Sequence, residues 1–237
     1  MFPQAKYVTA EADSNVIRVP QDYPVIQWAI NAANSGDSVL VDYGTYEECL
    51  HINKSISLIG RDKDGTIIDA LHMGNVVTIT ADYVCVSGFT IKKSPSSGIV
   101  IEDCHCVSVF DNIITENNLQ AICLYSSTTQ NLIFENTIVN NYPWGFYFYS
   151  ENNSIFRNNF IDNYIQIGGE WDKENNWDNG AEGNYWDNYK GKDFNGDGIG
   201  DTFVPHDLDR YPLMEPWSLV RRFDISWNGE NYDARAI

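Results

Sequence analysis

Long apolar runs are missing from this 237-residue chain. No stretch approaches the ~20 consecutive apolar residues of a membrane-spanning helix, so membrane insertion is not expected. Positive charge is scarce too: 15 Lys and Arg stand against 33 Asp and Glu, a formal net charge of -18. Nucleic acid and anionic membranes offer such a chain no cations, and neither is expected as a partner. The balance suits divalent cations, neutral sugars or plain solubility. The five cysteines, Cys49, Cys85, Cys104, Cys106 and Cys123, are an odd set. In an oxidising compartment one must stay free or pair between chains. "EDCHCVS" gathers Cys104, His105 and Cys106, but no second Cys/His pair stands at finger-like spacing, so zinc is not expected there. The opening "MFPQAKYVTAEADSN" lacks a basic segment before an apolar one. No signal peptide is visible, which leaves retention inside the cell or a processed start both open.

A repeat is present, and it decides the architecture. "VSVFDNIITEN", "NLIFENTIVNN" and "NSIFRNNFIDN" align without gaps, placing Phe110, Phe134 and Phe156 in one column and Asn112, Asn136 and Asn158 in another. "VCVSGFTIKKS" fits upstream with Phe89 in the Asn slot, and "EGNYWDNY" fits downstream with Asn184. Each unit carries a second alternating run, so Val77/Ile79, Ile99/Ile101, Ile122/Leu124 and Phe146/Phe148 are expected to face one way. Short strands at a period of ~20–25 residues describe rungs of a solenoid, each burying its inner face only by stacking on neighbours. The column of asparagines should form an inward ladder, each amide bonding the next and the turn backbone. An open solenoid needs capped ends. "QDYPVIQWAINAANSGD" offers an amphipathic helix with Asp22 as its cap, Pro24 in its first turn, a stripe of Ile26, Ala29, Ile30 and Ala33, and a stop at Gly36–Asp37.

"VPQDYPVIQWAINAANSGDSVLVDYGTYEECLHINKSISLIGRDKDGTIIDA" and "GNYWDNYKGKDFNGDGIGDTF…DRYPLMEPW" resemble the opening and closing motifs of NosD-type parallel β-helix repeat proteins, a family common among archaeal surface proteins. The resemblance runs from about Val16 to Trp217. It implies an all-β fold, a right-handed parallel β-helix with an N-terminal capping helix and an irregular C-terminal cap, and usually export. It implies no single activity, because the family includes copper-site maturation factors, carbohydrate-active proteins and structural surface proteins. The expected layout is one domain: an arm over 1–16, the capping-helix region over 17–36, rungs over 37–190, an acidic loop and closing motif over 191–217, and a tail over 218–237.

Chemistry has four candidates. In "KDFNGDGIGDTF", Asp193, Asn195 and Asp197 alternate, Gly198 permits a sharp turn, Ile199 offers its carbonyl and Asp201 another oxygen. This is the spacing of a calcium loop, with Val204 where a closing Glu would stand. Asp207 or Asp209 could replace that ligand, and the expected role is a structural calcium that locks the cap. The competing reading is a metal-free Asp/Asn/Gly turn. Catalysis on a polysaccharide would need a base beside a neutralised uronate, or paired carboxylates across a cleft. Lys92, Lys93 and Arg157 are the outward bases, and no rung sets an acidic pair beside one; His206 and Asp207 lie in the tail. Tyr142, Trp144, Tyr147 and Tyr149 cluster in "NYPWGFYFYSENN", suiting sugar stacking, a protein interface or packing under a loop. Trp171, Trp177 and Trp186 suit an aromatic plug. Cys104, Cys106 and Cys123, read as turn or outward positions, could cross-link subunits or hold a soft metal such as Cu(I). The favoured reading is a non-catalytic extracellular or cell-surface rod, binding carbohydrate or copies of itself and stabilised by calcium. A polysaccharide lyase or hydrolase and a copper-handling accessory factor are the alternatives.

Overall fold

The computed structural model describes residues 15–202, 208–218, 223–227 and 232–236. The repeat folds as a parallel β-helix of three sheets. Sheet A stacks Val16–Val19, Ser38–Val41, Ser57–Gly60, Cys85–Ser87, Ser108–Phe110, Leu132–Phe134 and Ser154–Phe156. Sheet B runs from Gly44–Tyr46 to Tyr185–Trp186, and sheet C from Leu50–Ile52 to Ile165–Gly169. A separate antiparallel pair joins Phe223–Trp227 to Tyr232–Ala236.

Register puts like on like. The inner row of sheet A is Val39, Leu58, Val86, Val109, Ile133 and Ile155. In sheet C, Val77/Ile79, Ile99/Ile101, Ile122/Leu124 and Phe146/Phe148 all point inward and are buried, as their alternation required. The repeat phenylalanines turn the other way. Phe110, Phe134 and Phe156 stack along the outside of sheet A, with ring centroids 4.9 and 5.5 Å apart.

The expected ladder is there, and it is one of three. Asn112, Asn136, Asn158 and Asn184 form the first; Asn117, Asn141 and Asn163 the second; Asn131, Asn153 and Asn175 the third. All but Asn184 and Asn175 follow a corner residue in the left-handed region: Asp111, Glu135 and Arg157 for the first (φ 53, 58 and 56), Glu116, Asn140 and Asp162 for the second, Gln130 and Asn152 for the third. A left-handed residue turns the chain sharply at a conformational cost of about 1 kcal/mol or more. The turn leaves main-chain N–H and C=O groups inside, and the amides satisfy them. The Asn136 Oδ1 accepts the Asn112 N–H at 3.2 Å and its Nδ2 at 3.1 Å. The Asn136 Nδ2 donates to the carbonyls of Val109 and Phe134 and to the Asn158 Oδ1. In the first column the earliest corner is Gly88 (φ 80), where a Cβ would lie 2.3 Å from the Gly60 carbonyl oxygen.

Three details of the N-terminal cap differ from the sequence reading, the first being that Pro24 stands before the helix and not in its first turn. The 17–36 region begins as a strand, because the β-branched alternation of Val16–Val19 pairs with Ser38–Val41, and helix α1 is confined to Ile26–Ala32. Asp22 does not cap it; its carboxylate accepts the Arg18 N–H instead. The helix ends are held from the rungs below. Glu48 accepts the N–H groups of Ile26 and Gln27, and the Lys54 ammonium donates to the carbonyls of Ile30, Asn31 and Ala33. An anion at the N-terminus and a cation at the C-terminus both match the helix dipole. Ile26, Ala29, Ile30 and Ala33 close the core as expected.

Replacing Asn136 with Ala strips two donors and two acceptors from a fully buried network. The expected loss is about 3 kcal/mol or more, since its partners stay buried and unpaired. Urea unfolding would register it as a lower midpoint with an unchanged slope.

Candidate functional site

Two regions concentrate the candidate chemistry: the C-terminal cap with its acidic loop, and the outer face of sheet C.

In the loop, backbone N–H groups fold onto the carboxylates. Asp193 accepts Gly198 N at 2.8 Å and Gly196 N at 2.6 Å, bonds that hold its pKa below the usual carboxylate range. Asn195 accepts the Asp197 N–H, Asp197 that of Ile199, and Asp201 that of Phe194. Asn195, Asp197, Ile199 and Asp201 together line a pocket of about 370 Å³, closed on another side by Arg210 and Tyr211. The loop is tied to the closing motif. Gly200 N bonds to the Pro212 carbonyl and Met214 N to that of Gly198, while Leu213 N bonds to the Asn184 carbonyl on the last rung. Residues 212–214 thus lie between loop and rung.

Asp209 does not complete the loop. It is fully buried and ends the first asparagine ladder, accepting the N–H of Asn184 at 2.7 Å, the indole N–H of Trp186 and the N–H of Tyr211. Burial pushes its pKa up to about 6, against the pull of those bonds. The approach demands Gly183, where a Cβ would fall 1.8 Å from an Asp209 oxygen. Asp207, with Val204 and His206, lies outside the described residues. The tryptophans divide. Trp177 and Trp186 are buried, Trp186 stacked on Phe160 at 4.4 Å and Trp177 edge-on to Phe146 and Phe148, so they plug the core. Trp171 is half exposed and edge-on to Phe148.

The second region follows from register. Outward on sheet C stand Thr78, Val100, Cys123, Tyr147 and Gly168 in one row. One residue beyond each strand, the rung-to-rung bonds align Glu102, Tyr125, Tyr149 and Glu170. Tyr125 stacks on Tyr149 at 5.6 Å, Tyr149 meets Tyr147 at 4.9 Å, and Trp144 meets Tyr147 edge-on at 4.9 Å. Trp144 and Tyr147 lean over Gly168, where a Cβ would come within 2.7 Å of the indole nitrogen. At the neighbouring corner Tyr142 packs on Tyr164 at 4.9 Å, and these two rings are 59% and 71% exposed. The four aromatics expected from sequence therefore lie on one flank of the last rungs. Tyr125 and Tyr164 were missed, although Tyr125 follows "QAICL" as Tyr149 follows "WGFYF".

The thiols depart from their expected exposure. Cys123 faces away from the core yet has no exposed surface, and burial, with Glu102 nearby, pushes it up to about 12. Cys104 is 1% exposed, and burial pushes it to about 11. Its Sγ donates back to the Ile79 carbonyl, whereas the Cys106 Sγ donates forward to Gln130. The two diverge onto different rungs. Buried thiols with raised pKa are poor nucleophiles. Neither Cys104 nor Cys123 is placed to cross-link subunits.

One acid–base cluster was also missed. Arg157 donates to Glu182 at 2.7 Å and to Glu135 at 3.3 Å, and its guanidinium lies 4.5 Å from the centre of the Trp217 ring. A base between two acids does exist, but Glu182 is 25 residues from Arg157 and only the folded stack unites them. All three are at least partly buried, and the guanidinium is spent on holding the closing segment.

An acidic, parallel β-helix with short rungs and capped ends defines the class. The chain belongs to the NosD family: the family model described as "Periplasmic copper-binding protein (NosD)" matches residues 30–191. No match is found among curated proteins. Solved structures that match include an alginate lyase from Paenibacillus sp. str. FPU-7, with TM-score 0.51, 18% identity and coverage of 65% of this chain and 58% of that one. ORF18 of Geobacillus virus E2 matches with TM-score 0.50 and 19% identity, over 62% of this chain and 42% of that one. This chain thus spans less than two thirds of either, and the likeness is one of fold.

Copper in the family description invites a test of the residues present. Cu(I) is held by converging thiolates, thioethers or imidazoles. Among the described residues no three His, Cys, Asp or Glu side chains gather to hold a metal ion. Cys104 and Cys123 are buried and Cys104 and Cys106 diverge, so the described residues do not fit a copper centre.

Native-state labelling with a thiol-specific disulfide reagent should modify Cys49 and Cys106 ahead of Cys85, whose thiol partial burial pushes up to about 11, and spare Cys104 and Cys123 until unfolding. Rapid native labelling of Cys123 would contradict its burial on the outer side of sheet C.

Proposed function

We propose that this chain is a non-catalytic, exported β-helix protein that binds carbohydrate on the outer face of sheet C, with a calcium ion in the acidic loop bracing its C-terminal cap. The observation that carries the reading is the continuous ring cluster Trp144–Tyr147–Tyr149–Tyr125 with the exposed Tyr142–Tyr164 pair beside it. Such rings offer apolar surface to the C–H faces of sugars and hydroxyl tips to their oxygens. The rigid stack below fixes their spacing, which limits the ordering cost of binding.

Three further points support it. Of the outward bases, Arg157 and Lys93 are held in ion pairs with Glu182 and Asp69, as Lys63 is with Asp111, leaving these three poorly placed as catalytic bases. The sequence spaces Asp193, Asn195, Asp197, Ile199 and Asp201 as a calcium loop spaces its oxygen ligands, in a loop hydrogen-bonded to the segment that seals the last rung; metal binding there would draw in carboxylates that in this structure accept backbone N–H groups instead. The family description is periplasmic, which fits export.

The test is a glycan array read alongside reducing-sugar and unsaturated-product assays. Binding without turnover is expected, weakened at least ~10-fold in a Tyr142→Ala/Tyr164→Ala variant whose melting temperature is unchanged. Chelation should lower the melting temperature by several degrees without abolishing binding. Release of product at enzymatic rates would overturn the non-catalytic reading, and stability indifferent to chelation would return the loop to a metal-free turn.

A further inference from the structure

The charges around the aromatic face specify more than carbohydrate. We propose that the face accepts an uncharged, hydroxyl-rich polysaccharide and rejects anionic ones, an inference that rests on the carbohydrate reading above.

Sheet C holds no Lys or Arg in any of its six strands, nor at the residue following each. Carboxylates occupy the ring row itself: Glu102 aligns one rung before Tyr125, and Glu170 one rung after Tyr149. Three cations near the corners are committed elsewhere. Lys63 is paired with Asp111, Lys93 with Asp69, and Arg157 with Glu135 and Glu182. Lys173 follows Trp171 in the turn beyond the last rung, flanked in sequence by Asp172 and Glu174. A uronate or sulfated chain laid along this face would bring its anions to Glu102 and Glu170 without a counter-charge, inside a molecule of net charge -18. Repulsion adds to lost hydration, and neither is offset. Sugar hydroxyls fit the same groups well. A carboxylate accepts hydroxyl donors in charge-assisted bonds, while the exposed faces of Tyr142 and Tyr164 take the apolar side of the ring. Specificity then comes from the carboxylates that exclude as much as from the rings that attract.

Affinity electrophoresis of the full chain through gels containing mannan, β-glucan, galactan, alginate, polygalacturonate or chitosan tests this at low salt. At least one neutral polymer should retard it ~10-fold more strongly than either polyanion, with little change as salt screens long-range charge. A Glu102→Lys/Glu170→Lys variant that melts as wild type should gain ~10-fold in alginate retardation. Alginate, polygalacturonate or chitosan binding wild type more tightly than every neutral polymer would overturn the charge inference while sparing the carbohydrate reading. Retardation by no polymer of any charge would overturn both. The wild-type series decides the matter even if the double variant fails to fold.

Discussion

The constraint on which everything rests is the corner. A rung of three short strands must turn three times within about two dozen residues, and each turn leaves main-chain polar groups inside an apolar core. Left unbonded, each would cost about 1–3 kcal/mol, and a stack of rungs would carry many. A left-handed residue followed by a buried amide meets the demand. One Asn has as many donors and acceptors as the gap requires, and its neighbours above and below need the same. The residue before it points out, so it is free to be Asp, Glu or Arg without disturbing the column. The hydrophobic rows explain why the rungs are compact, and the amide columns explain why they sit in register.

Ladders must also stop. The first ends on Asp209, whose carboxylate accepts three N–H groups; the second passes from Asn163 to Gln166, whose amide donates in turn to Asp187. An acceptor-only side chain suits the last position, because there is no further rung to donate to. At the other end the same logic is met by a helix, with Glu48 and Lys54 answering its unpaired ends. The closing segment gathers these requirements. Asp209 seals the ladder, Arg210 pairs with Asp178, and Trp217 exchanges two hydrogen bonds with Asn159.

Most of this was legible as pattern and little of it as contact. The Asn112–Asn136–Asn158–Asn184 column and the inward Phe146/Phe148 follow from spacing and alternation. The second column is equally visible as spacing, since Asn117, Asn141 and Asn163 each stand five residues beyond the first. Glu48 and Lys54 were not legible, because capping from another rung leaves no local signal, whereas Asp22 looked like a cap by proximity. Asp209 read as a metal ligand because acids near an acidic loop invite it; only its burial beside Gly183 shows the ladder claiming it. Cys123 was read correctly as outward and wrongly as open, since outward register on a strand does not reveal that the side chain has no exposed surface.

A regular interior leaves the outer faces free to diverge, and here they have: phenylalanines line sheet A, while rings and carboxylates share sheet C. That division depends on the ladders being rigid. Amide hydrogen exchange tests this most directly, at the N–H groups of Asn112, Asn117, Asn131, Asn136 and Asn141, which donate to side-chain oxygens rather than to strands. The account predicts that these protons exchange only through global unfolding, with protection equal to the central strands. Exchange by local opening, orders of magnitude faster than the strands, would contradict it.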